Sequence, residues 1–217
     1  MYQKLATASG SEELMFKSDL DRAPTDWSQD GRFILFYSRA NPKTGSDMWV
    51  LRMSGANASP AGRSQQEMKG DPKPVPLFQG PFGENAAQFS PDGKWVAYWT
   101  DESGTNQTYV QPFPQTGDKV QISVDGGAQP RWRQDGKELF FVSVDNRMMA
   151  VDVELGAKFR AGVPKPIFRV PGYVQGTGGL GRYAVTRDGK RFLLSVNNEL
   201  TDSPITVVLN WTAKLKK

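Results

Sequence analysis

The sequence predicts an all-β chain: a β-propeller of four-stranded antiparallel blades, about four in number, read as a partial arc of a larger propeller. Three observations predict it. An Asp-Gly motif occurs four times, at intervals of 62, 43 and 53 residues, a range that brackets one blade with loop insertions. The 217 residues include 22 Gly and 15 Pro without a Gly-X-Y period, which suits many turns between short strands. The run after each motif is apolar in succession, as in Phe33-Ile-Leu-Phe-Tyr37. Such a strand needs cover on both faces, and stacked blades supply it.

The four copies are Trp27-Ser-Gln-Asp30-Gly31-Arg-Phe-Ile, Phe89-Ser-Pro-Asp92-Gly93-Lys-Trp-Val, Trp132-Arg-Gln-Asp135-Gly136-Lys-Glu-Leu and Val185-Thr-Arg-Asp188-Gly189-Lys-Arg-Phe. Their chemistry is that of a tight hairpin. Pro91 sets φ at the first central position of a type I turn, Asp bonds back to the local backbone, and Gly accepts the left-handed conformation. Asp30, Asp92, Asp135 and Asp188 are therefore read as turn residues, with Gly31, Gly93, Gly136 and Gly189, and not as catalytic acids.

The hairpins predict strands at 24–28 and 32–38, 86–90 and 94–99, 129–133 and 137–143, and 182–186 and 190–196. Third strands follow at 48–53, 108–113, 147–153 and 205–211. Weaker fourth strands follow at 75–78, 120–123 and 166–169, where Pro76 and Pro166 suit an outer edge. Residues 2–6 and 12–17 read as the outer strands of a preceding blade. The expected organisation is one propeller domain over 1–217, with 1–20 as those outer strands and blade units at 21–80, 81–125, 126–172 and 173–217.

Composition narrows the function classes. Apolar residues make up 38% and charged residues 23%, enough for a packed core, and there is no Cys and no His. Disulfides, thiol nucleophiles, His-based zinc sites and a Ser-His-Asp triad are excluded within the chain. The net charge of +4 is scattered, apart from Lys214, Lys216 and Lys217. Without a basic stripe, no nucleic-acid partner is expected. Lys4, Glu12, Glu13 and Lys17 interrupt the first twenty residues, so no signal peptide is expected there. No apolar run approaches the ~18 residues of a membrane span. These features point to the cytoplasm for a chain expressed alone. Asn57, Asn106 and Asn210 each begin a glycosylation-type triplet, matches short enough to arise by chance.

The stretch Phe89-Ser-Pro-Asp-Gly-Lys-Trp-Val-Ala-Tyr98 resembles the repeat of TolB-type, WD-repeat-like propellers. With Tyr109-Val-Gln-Pro-Phe-Pro114, Met149-Ala-Val-Asp-Val153 and Pro204-Ile-Thr-Val-Val-Leu-Asn-Trp211, nearly the whole chain is similar to the C-terminal propeller of bacterial Ser/Thr protein kinases. In those proteins the propeller lies outside the membrane as a sensor, so the resemblance implies an extracytoplasmic module. The kinase activity does not transfer, because the chain has no Gly-rich kinase loop and no His-Arg-Asp catalytic loop.

Other motifs are weaker. Gly176-Thr-Gly-Gly-Leu-Gly181 has dinucleotide-fingerprint spacing, but it precedes a strand instead of opening a helix and reads as an interblade loop. Asp101 to Gln107 lacks the alternating ligands and distal Glu of a calcium loop. No Gly-x-Ser-x-Gly elbow occurs. Ser9-x-x-Glu12 matches a capping box without a helical run after it. Residues 54–74 read as a polar insertion between the third and fourth strands of one blade. No cofactor and no metal are expected.

Up-and-down connectivity brings the turns between second and third strands to the same end as the interblade segments. Arg39, Lys43, Asp101, Glu102, Asn106, Asp145 and Asn146 should share that end with Glu84 and Asn85, and loops of this kind carry binding functions. The expected function is a non-catalytic binding or sensing module, not an enzyme, whose partner is a protein or peptide, with a small ligand as a further option. An accessory propeller segment of a larger kinase or prolyl-oligopeptidase-type enzyme is the alternative. An incomplete propeller would also self-associate.

Overall fold

The computed structural model describes residues 1–4, 11–18, 21–41, 45–53, 73–78, 80–170 and 183–195, and these contain strands and no helix. The predicted strand at 205–211, Lys43, the glycine-rich segment 176–181 and most of the 54–74 insertion lie outside the described residues. A short hairpin comes first, β1 (Tyr2–Gln3) pairing antiparallel with β2 (Glu13–Leu14). Blade one is the sheet β3-β4-β5-β6, made of Arg22–Trp27, Phe33–Asn41, Gly45–Arg52 and Val75–Pro76. Blade two is β7 (Glu84–Phe89), β8 (Trp95–Thr100), β9 (Gln107–Pro112) and β10 (Val120–Gln121) in the same order.

Blade three contains β11 (Gly127–Trp132), β12 (Glu138–Ser143) and β13 (Arg147–Glu154). Two further strands pair with different stretches of β13: β14 (Arg160–Ala161) at its end and β15 (Lys165–Arg169) at its start. The short β14 was not anticipated, because two exposed residues leave no apolar alternation to read. Of the fourth unit, β16 (Tyr183–Val185) and β17 (Phe192–Leu194) form an antiparallel pair.

One local device builds all four hairpins. Gly31, Gly93, Gly136 and Gly189 take φ between 69° and 73°, and each donates its N–H to the carbonyl three residues back at 2.8–2.9 Å. The turn aspartate accepts the N–H two residues on, at Arg32, Lys94, Lys137 and Lys190. In three units the aspartate also accepts a hydroxyl, from Ser28, Ser90 or Thr186. Arg133 fills that place in blade three through its guanidinium. A repeated side-chain network of this kind explains why the turn sequence recurs while the flanking residues vary.

The second strands carry the core, and their alternation decides which blade touches which. Leu35 and Tyr37 pack with Val96 and Tyr98 of blade two. Ala97 meets Leu139 and Phe141 of blade three. Phe140 and Val142 meet Phe192 and Leu194 of the fourth unit. Successive residues thus seal the preceding and following blades in turn, the period of two expected of a strand covered on both faces.

A polar clamp repeats beside this apolar contact. Asp26 Oδ2 accepts the N–H of Phe89 in the next blade at 2.7 Å. At the equivalent position, four residues before its turn aspartate, Gln88 Oε1 accepts the N–H of Trp132 at 3.1 Å. A bulge in the inner strand of blades one, two and three, at Pro24/Asp26, Asn85/Gln88 and Ala128/Arg131, precedes or includes this position and re-aims the side chain toward the neighbour. Gln88→Ala should leave the Trp132 amide without its acceptor and cost about 1–2 kcal/mol. Urea unfolding would measure it, and an unchanged midpoint would remove the clamp from the list of stabilising contacts.

Candidate functional site

The site grows from the first residue of β7. Glu84 and Asn85, expected in an interblade loop, are instead buried strand residues, and Glu84 is 6% exposed. The Glu84 backbone is tied on both sides: its Cα pairs with Thr100 of β8, and its carbonyl accepts the Ser46 hydroxyl at 3.2 Å. Beside it, the Gly83 N–H donates to Asp101 Oδ1 at 3.0 Å, which anchors the β8–β9 turn to the entry of β7. Among the described residues, nothing hydrogen-bonds to the Glu84 carboxyl.

That carboxyl is held in its protonated form. Burial pushes its pKa up from the ordinary 4.5 to about 8, and the charges of Asp47, Asp101 and Glu102 add to the shift, opposed by Lys119. Removing a carboxylate from water penalises the charged form, and like charges nearby do the same. Lys119 is itself engaged. Its ammonium contacts both Glu102 oxygens and lies 4.8 Å from the Tyr109 ring centroid. Asp47 of β5 and Asp101 and Glu102 of the β8–β9 turn therefore lie near enough to act on Glu84, and Lys119 opposes them while it contacts Glu102.

The remaining candidates divide. Asn106 belongs to the same end, since its carbonyl accepts the Gly127 N–H at 2.7 Å at the entry to β11. The approach is close there: a Cβ on Gly127 would stand 2.5 Å from the Phe141 ring. Arg39 is exposed at the end of β4, where its N–H bonds the Asp21 carbonyl and its guanidinium lies 5.3 Å from the Tyr37 ring centroid. Asp145 and Asn146 form the β12–β13 turn. Asp145 accepts Ser143 Oγ and pairs with Arg147 at 2.7 Å, and Asn146 takes φ 60°. That turn stands on blade three, whereas Glu84 begins the inner strand of blade two. Sequence reading missed Asp47, which lies 37 residues from Glu84 and has no local pattern to reveal it.

Among the described residues no group of three or more His, Cys, Asp or Glu is disposed to hold a metal ion. The same residues include no helix long and apolar enough to cross a membrane. What the arrangement offers chemically is a mostly buried acid kept neutral by desolvation, with further carboxyl groups around it.

No family model matches the chain, and no curated protein matches it. Solved structures do. TolB from Acinetobacter baumannii is 16% identical over 86% of this chain and 40% of its own, with a TM-score of 0.58. A protein described as TolB from Agrobacterium tumefaciens is 18% identical over 70% of this chain and 52% of its own, with a TM-score of 0.49. A protein described as a 6-phosphogluconolactonase from Bacteroides uniformis is 17% identical over 86% and 50%, with a TM-score of 0.48.

The chain thus spans between two fifths and about half of the length of these solved chains. At such identities the likeness is one of fold, and the fold is that of a TolB-type β-propeller. It does not extend to the kinase association, which rests on the sequence motifs. One expectation is corrected by the comparison. The expectation of a chain that is not an enzyme does not stand, since the solved structures similar to it include a protein described as an enzyme. The lack of His and Cys removes only mechanisms needing those side chains. A TM-score of 0.48 assigns no activity to this chain in turn.

Proposed function

We propose that the chain is a binding propeller that engages a protein or peptide at the end of blades one and two where Glu84, Asp47, Asp101 and Glu102 meet. The observation that carries the reading is Glu84, a residue only 6% exposed, whose carboxyl has no hydrogen bond from the described residues and feels three other carboxyl groups. A carboxyl this far desolvated is costly to ionise, and a lysine or arginine of a bound peptide, reaching the edge that stays open, would relieve that cost. The strands beneath hold the group rigidly, so recognition needs little rearrangement. Preformed carboxylates also favour rapid, salt-sensitive association with basic partners.

A fluorescent lysine-rich peptide tests this directly, with a glutamate-rich peptide of the same length as the control. The Asp101→Asn/Glu102→Gln variant keeps the hydrogen-bond acceptors and removes two charges. It should weaken lysine-peptide binding by about tenfold, and added salt should weaken binding to the native protein. Equal binding of both peptides, or of variant and native protein, would refute the reading.

A second reading, that the chain is the propeller segment of a larger protein such as a kinase or peptidase, is favoured by its coverage of about half of the solved propeller chains. Both readings use the same binding end, and they differ in what the bound partner controls.

A further inference from the structure

Each blade presents one set of side chains to the preceding blade and one to the following blade, and two of these surfaces are left incompletely covered. At the first, Trp27 is 50% exposed, whereas its equivalents Phe89 and Trp132 are 5% and 7% exposed against the blades before them. The β1–β2 hairpin covers part of that face, with Met1, Met15 and Phe16 on Ile34 and Phe36. It leaves a cleft of about 760 Å³ between itself and β3, with Thr25, Asp26, Trp27 and Ile34 in its wall. The Thr25 hydroxyl is buried there without a hydrogen bond.

At the second, Leu193 of β17 is 56% exposed. Its neighbours Phe192 and Leu194 pack back on blade three, so Leu193 points to where a following blade would stand. The equivalent residues Leu35, Ala97 and Phe140 are completely buried by the blade that follows each of them. Among the described residues these two surfaces are not packed on each other, since both Trp27 and Leu193 remain open.

We propose that a second copy of this chain occupies both surfaces, the Leu193 face of one copy seating on the Trp27 face of the other. On the part of the Trp27 face that the hairpin leaves open, the contact continues an interface the chain already makes three times, between blades one and two, two and three, and three and four. One surface of each hand gives a head-to-tail contact, which closes into a ring when the rotation allows. Two copies supply eight Asp-Gly units, inside the range of about 4–8 blades of closed propellers. The Trp27 face is separate from the Glu84 end, so this association stands or falls independently of peptide binding.

Light scattering on the full chain during size exclusion tests the proposal, with circular dichroism to confirm that variants fold. The native chain should run at twice the mass of one copy. Trp27→Glu and Leu193→Glu should each raise the dissociation constant by about a hundredfold or more. Phe82→Glu, at an exposed apolar residue away from both faces, should leave it unchanged. Mixing the two disrupting variants should restore part of the dimer, because each retains the face the other has lost. A native monomer, insensitivity to both substitutions, or a mixture that stays monomeric would overturn the proposal.

Discussion

Phe140→Ala is expected to destabilise the protein by about 3–5 kcal/mol, the range for emptying a fully buried aromatic position. Phe140 has no exposed surface and lies on β12, where its ring meets Phe192 edge-on with centroids 5.1 Å apart. A Cβ built on Gly189 would also touch it at 3.3 Å, so the fourth Asp-Gly turn packs directly over the ring. The substitution thus removes the link between blade three and the fourth unit together with core volume. Single domains hold about 5–15 kcal/mol in total, so such a loss should be plain in a urea titration. Phe82→Ala, at a residue that is 42% exposed, is the comparison and should cost about 0.5 kcal/mol or less. If Phe140→Ala proves no worse than Phe82→Ala, β17 does not pack on β12 as described.

Glu84→Gln should make the protein more stable in alkaline solution and leave it unchanged in acid. The folded chain holds the Glu84 proton to about pH 8, whereas an unfolded chain releases it near the ordinary 4.5. Folded protein therefore binds the extra proton between those values, and stability falls as pH rises through that window. The penalty is absent below the lower value and complete above the upper one. Glutamine keeps the shape and cannot ionise, so the variant avoids it. We expect a gain of about 2–3 kcal/mol at about pH 9, below the full linkage limit because water and loop relaxation screen the rim carboxylates. Guanidinium unfolding at about pH 4 and pH 9 checks it. Curves that stay parallel at both pH values would mean the carboxyl is not desolvated.

The Asp-Gly hairpins and the Glu84 site differ in how legible they are in the sequence. The Asp-Gly hairpins could be read from the sequence because their chemistry is local. Asp92 reaches the amide only two residues away, and Gly93 needs a left-handed φ wherever it sits. The strands on either side were legible because an apolar run bounded by such a turn has few other solutions. Glu84 and Asn85 were harder. Acidic and amide residues are poor strand formers and avoid burial, so their place at the buried start of β7 could not be read locally. A weak signal existed: Glu84 stands eight residues before Asp92, as Arg22 stands before Asp30 and Gly127 before Asp135. Those are the first residues of the inner strands in blades one and three as well.

The four hairpins, the strand order within each blade and the two-sided burial of the second strands follow from turn chemistry and a period of two, both of which act within a few residues. The ionisation of Glu84, the clamp from Asp26 to Phe89 and the exposure of Trp27 depend on which blade comes to rest against which. Asp26 and Phe89 are 63 residues apart, and nothing near either one shows that they meet. The features first noticed as a repeat describe the blades. Burial, which sets both the acid at one end and the open face at the side, exists only once the blades stack, because desolvation is a property of neighbours in space and not in sequence.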